Sequence, residues 1–132
     1  MTAELTILAW TLVLALVQIG LASSMRTMET GISYNMSARD KEAPPMRPVT
    51  ARLQRAQANL FETLPLFAAA VLIAHVAGRT GGETLLGCQL YLGARVLYVP
   101  AYAAGVPVLR TLIWTASVVG LVMIIKAILR GG

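Results

Sequence analysis

The sequence predicts an all-α membrane protein, a bundle of four transmembrane helices in one domain spanning residues 1–132. Three observations predict it. Of 132 residues, 57% are hydrophobic and only 13% charged, and the mean hydropathy is +0.69. A soluble domain carries about a quarter charged residues, so this chain lacks the polar surface to cover itself in water. The apolar residues gather in four runs, each close to the ~20 residues that span a bilayer. The runs show no sustained alternation and are about twice as long as a barrel strand, which leaves helices as the spanning elements.

The first run, 5–25, has no charge, and Glu4 is the only charged residue before Arg26. Without a basic n-region, a cleaved signal peptide is not expected. The second run, 52–77, contains Pro65, a candidate kink just beyond Glu62. The third run is 83–104 and the fourth 107–129. Gly78-Arg79-Thr80-Gly81-Gly82 reads as a tight hairpin between the second and third runs, and Gly105-Val106-Pro107 as a tighter one before the fourth. Residues 26–51 form the one long polar connection, with Pro44, Pro45 and Pro48 near its end.

The net charge is +5, and six of the eleven Lys and Arg residues lie between Arg26 and Arg55. This clustering next to helix ends reads as membrane topology rather than a nucleic-acid surface. It puts the 26–51 loop and the turn near Arg110 in the cytoplasm and both termini outside, with Lys126 and Arg130 opposing slightly. One cysteine, Cys88, cannot form an internal disulfide, and with the lone His75 it makes no metal-ligand pattern, so no metal is expected.

The chemistry lies in polar residues placed where lipid should be. Such groups are costly at membrane depth and usually face a cavity or a partner. Arg52, Arg55, Asn59 and Glu62 are spaced three, four and three, which puts them on one helical face. Tyr91, Arg95, Tyr98 and Tyr102 are spaced four, three and four, again one face. Arg110 opens the fourth run and Arg26 closes the first. Two readings fit. Arg95 with Glu62 can form an interhelical ion pair, and Asn59 a packing link. Alternatively, since one glutamate cannot neutralise four arginines sharing one space, they hold a ligand with several anionic groups and one cation. Arginine forks grip carboxylates, and Glu62 suits an ammonium. Glutathione has that charge pattern, and an arginine beside its sulfur favours the thiolate.

The run Arg52-Leu-Gln-Arg55-Ala-Gln-Ala-Asn59-Leu-Phe-Glu62-Thr-Leu-Pro65 resembles the second-helix signature of the membrane-associated proteins in eicosanoid and glutathione metabolism, the MAPEG family. Tyr91-Leu-Gly-Ala-Arg95-Val-Leu-Tyr98-Val-Pro-Ala-Tyr102 is similar to that family's third-helix signature, and Arg110 falls where its thiolate-stabilising arginine begins the fourth helix. Arg26 is similar in position to the arginine ending helix one. The loop and the Leu-Pro-Leu-Phe after Glu62 look more like bacterial members. The resemblance covers Arg26 to the C-terminus and implies a homotrimer in a bacterial inner membrane. It implies glutathione as co-substrate at a site between subunits, open to the cytoplasm. Arg55, Asn59, Glu62, Tyr98 and Tyr102 would hold the tripeptide beside Arg95, with Gln57 and Arg26 supplied across the interface. Arg110 would be the catalytic residue, stabilising a thiolate that attacks a lipophilic electrophile delivered by the bilayer. Thr63 departs from the pattern, standing where some members have tyrosine, and the turn before Arg110 differs in length from some members. Some members have lost catalysis and act as lipid-binding partners, so a non-catalytic trimer binding a lipid or a partner membrane protein is the alternative function.

Overall fold

The computed structural model describes residues 1–131. Its elements are all helical: α1 (Ala3–Thr30), α2 (Ile32–Met36), α3 (Pro48–Val76), α4 (Gly82–Ala103) and α5 (Pro107–Arg130). Local chemistry sets their ends. Thr2 caps α1, its Oγ1 accepting from the Leu5 N–H at 3.2 Å. Pro48 and Pro107 stand in the first turn of α3 and α5, where a missing N–H costs nothing and the fixed φ suits a helix. Gly31 ends α1 at φ 89°, in the region that favours glycine.

The expected 26–51 connection is more ordered than its composition suggests. α1 runs on to Thr30, α3 starts at Pro48, and α2 lies between them. Glu29 ties the two sides together. Its carboxylate pairs with Arg26 Nη1 at 2.8 Å and accepts from Thr50 Oγ1. Arg26 Nη2 also donates to the Pro44 carbonyl at 2.7 Å.

Three of the four long helices, α1, α3 and α5, are long and apolar enough to cross a membrane, which makes the chain a multi-pass membrane protein. α4, with 22 residues, falls below that measure because Arg95, Gln89 and three tyrosines dilute its apolar run. Even so, at 1.5 Å per residue it is ~33 Å long, about the thickness of a bilayer's hydrocarbon core.

The register is set at both ends. At one end Thr84 Oγ1 donates to Glu4 Oε2 at 2.9 Å, so the start of α4 lies beside the start of α1. Arg130 Nη2 reaches Glu83 Oε2 at 2.7 Å, so the end of α5 lies there too. The opposite end therefore gathers Arg26, Arg52, Arg55 and Arg110. Leu60, Phe67, Val71, Cys88, Tyr91 and Ile124 are fully buried between the helices, with Tyr91 stacked on Phe67 at 4.0 Å between ring centroids. Trp10, Leu16, Leu66, Leu97 and Val122 lie on the outside, an apolar surface for which lipid is the fitting solvent.

α4 and α5 cross in backbone contact. A Cβ at Gly87 would sit 2.6 Å from the Gly120 carbonyl oxygen, and one at Gly120 would sit 2.6 Å from the Gly87 oxygen and 2.9 Å from the Tyr91 nitrogen. These neighbours are backbone and cannot step aside. Without a strong hydrophobic drive between helices in lipid, such small-residue contact carries much of the association. Gly120→Val is expected to destabilise the fold by about 1–3 kcal/mol, the usual range for overpacking. Thermal melting in detergent would read this, and an unchanged melting temperature would mean α4 and α5 do not meet at these glycines.

Candidate functional site

The two polar stripes face each other across α3 and α4. Arg52 Nη1 donates to the Ala103 carbonyl at 3.3 Å, Arg55 Nε to Tyr102 Oη at 3.1 Å, and Arg95 Nη1 to Asn59 Oδ1 at 2.9 Å. One turn deeper, Thr63 Oγ1 and Tyr91 Oη lie 2.8 Å apart. The i, i+3, i+4 spacing of each stripe keeps successive side chains over the same seam, so antiparallel helices match them rung by rung. Burial grows with depth: Arg55 is exposed, Asn59 half-buried, and Arg95 and Tyr91 sealed at 1% and 0% exposure.

At the cationic end the rungs open into a cleft of about 240 Å³ lined by Arg52, Arg55, Tyr102, Gly105, Pro107 and Arg110. Tyr102 is its centre. The Arg110 Cζ lies 4.6 Å and the Arg55 Cζ 5.8 Å from its ring centroid, within cation–π range, and Tyr98 meets it edge-on at 5.4 Å. Three guanidiniums share the cleft and, among the described residues, no carboxylate lines it. Three like charges in one small space repel unless an anion or water lies among them. The arrangement thus suits an anionic group, and a thiol placed there would ionise more readily.

Gly105 shapes this cleft. Its φ is 73°, and a Cβ there would lie 2.9 Å from the Arg52 Cζ. The left-handed backbone favours glycine, and an added β-carbon would also oblige the end of the Arg52 side chain to shift.

The remaining expected residues lie elsewhere. Arg26 and Gln57 line a second cleft, about 450 Å³, with Thr27, Asn35 and Arg39. Gln57 is two residues from Arg55, about 200° around the helix, so the chain presents them on different faces. Glu62 is exposed and forms no ion pair with Arg95 among the described residues, so the interhelical pair that sequence alone allowed is not formed. Asn59 does link α3 to α4, through Arg95.

Two contributions were hidden in the sequence. Arg39, in the long polar connection, reaches the second cleft just beyond α2, with a left-handed backbone at φ 59° and Nη2 on the Asn35 carbonyl at 3.1 Å. Gly105 reads as a turn residue, and its packing on Arg52 spans 53 positions of sequence, which no local pattern reveals.

A family model described as MAPEG family matches residues 7–130, nearly the whole chain. No curated protein matches the chain.

Gly105→Ala should lower thermal stability by at least the 1–2 kcal/mol that a left-handed backbone costs an L-residue. Because part of the damage is the clash with Arg52, the Arg52→Ala, Gly105→Ala double variant should lose less than the two single losses added. Additive losses would mean that the Arg52 side chain yields to the added methyl group without cost.

Proposed function

The chain belongs to the MAPEG family, a family that includes glutathione transferases and peroxidases, and from that premise we propose that it is a membrane-bound enzyme activating glutathione as a thiolate for attack on a lipophilic electrophile. The observation that carries this reading is the cleft in which Arg52, Arg55 and Arg110 converge with, among the described residues, no acidic group lining it.

In this reading α1, α3, α4 and α5 all span the membrane, and three copies assemble with the cleft of one subunit against the Arg26–Gln57 cleft of the next. The split of these residues between two faces supports that arrangement, since one protomer cannot bring both to a single ligand. Arg55, Asn59 and Tyr102 bind the tripeptide from one side, and Glu62 takes its ammonium. Tyr98 and Arg95 stand behind them, and Arg26 and Gln57 close the site from the neighbour. The membrane is the bacterial inner membrane, with the long loop on the cytoplasmic side.

Arg110 has the chemical role. A free thiol has a pKa near ~8.5, and an adjacent guanidinium stabilises the thiolate, each unit of lowering being worth about 1.4 kcal/mol. The proton leaves to solvent through the open end. The sulfur lone pair then forms a bond to the electrophilic carbon, and the group displaced there departs with the electrons of its old bond. Lipid supplies the second substrate along the apolar outer faces.

The test is a glutathione titration of the detergent-purified protein, followed by thiolate absorbance. Saturable thiolate formation at millimolar glutathione or below is expected. Arg110→Ala should abolish the thiolate signal while keeping measurable affinity. Absence of binding at millimolar glutathione would defeat the enzyme reading and favour the non-catalytic trimer, and an unchanged signal in Arg110→Ala would remove that residue from its role.

A further inference from the structure

Arg95 is the largest fully buried side chain in the bundle, at 1% exposure. Its Nη1 donates to Asn59 Oδ1 at 2.9 Å, and its Cζ lies 4.3 Å from the Tyr98 ring centroid. Its Nε and Nη2 are buried with no hydrogen-bond partner among the described residues. Arginine offers only donors and keeps its proton in proteins, so whatever faces it must accept. A carboxamide has one acceptor end and one donor end. Its oxygen must therefore face Arg95, and turning it over would press an NH2 group against a guanidinium that already lacks acceptors. The cost of that reversal is high where water cannot relieve it.

We propose that Arg95 is a positioning residue, which locks the Asn59 carboxamide so that Asn59 meets the ligand as a hydrogen-bond donor only. The amide nitrogen points away from the guanidinium, has no partner among the described residues, and is not among the sealed polar atoms. Asn59 itself is half-buried, at the boundary between the sealed rungs and the exposed ones. A donor there selects a carbonyl or carboxylate oxygen of the ligand and rejects an ammonium. The ligand's cation is left to Glu62, three residues further along the same helix and exposed. The inference rests on the glutathione reading and adds a polarity to it: the peptide or carboxylate oxygens lie at the Asn59 level and the ammonium at the Glu62 level.

The experiment is a mutant cycle on glutathione affinity in the intact detergent-solubilised protein, with thermal melting beside it. Arg95→Met and Asn59→Ala should each weaken binding about tenfold, the loss expected for one hydrogen bond to a charged group. The double variant should be no weaker than either single variant. The pH midpoint of thiolate formation should not move in Arg95→Met, because Arg110 is untouched. Arg95→Lys, which keeps a donor, should recover part of the affinity. Asn59→Asp places an acceptor toward the ligand and should bind more weakly than Asn59→Ala. A purely structural Arg95 would lower melting temperature and affinity independently of Asn59, so additive losses would overturn the proposal. If Arg95→Met does not fold, the Asn59 pair decides alone, and Asn59→Asp binding as well as or better than Asn59→Ala would overturn it. Failure of the unsubstituted protein to bind glutathione would instead defeat the underlying reading together with this inference, whereas binding with an additive cycle defeats this inference only.

Discussion

A guanidinium buried in the apolar middle of a helical bundle is the constraint around which α3 and α4 are arranged. Arg95 cannot be neutralised by losing a proton, and lipid offers it no hydrogen bonds. An unmet charge at that depth would cost several kcal/mol or more. Asn59 and the Tyr98 ring supply partial relief, one by a hydrogen bond and the other by its π face. Both partners are therefore held close to one geometry. The rungs above and below, Arg55 with Tyr102 and Thr63 with Tyr91, follow the register that this contact sets.

From that register comes the change in character along the bundle. Toward the Glu4–Thr84 end, the α3–α4 seam closes over aromatic stacking and aliphatic packing around Phe67, Tyr91 and Ile124. Toward the other end it opens, and Arg52, Arg55 and Arg110 are left around Tyr102 in a cleft without acid. The close Gly87–Gly120 crossing holds α5 against α4 deep in the bundle. The start of α5, with Arg110, is thus anchored from below while the tight turn at Gly105 fixes it from above. A rigid support of this kind is what a site needs if charges are to be held against their mutual repulsion.

The second cleft has a different construction. It depends on the connection from α1 to α3, which is drawn in by Glu29 reaching Arg26, Thr50 and the backbone of Arg47. Composition suggests a loose polar loop there. One carboxylate with several donors converts it into a wall carrying Arg26 and Arg39. The two clefts are lined by different residues, so the chain presents two separate cationic surfaces.

Much of this was legible in the sequence. Hydropathy pointed to α1, α3 and α5 as apolar enough to cross a membrane because a bilayer imposes length and composition directly. The spacing of Arg52, Arg55, Asn59 and Glu62, and of Tyr91, Arg95, Tyr98 and Tyr102, placed each set on a face, because helical periodicity is a local property of the chain. What periodicity lacks is the identity of the opposing residue. That Arg95 bonds to Asn59 and leaves Glu62 free, that Gly105 makes room for Arg52, and that a loop arginine joins Arg26 and Gln57 are relations between residues far apart in sequence. They were decided only when packing fixed which rung met which, since a buried cation accepts few partners and a backbone crossing admits only glycine.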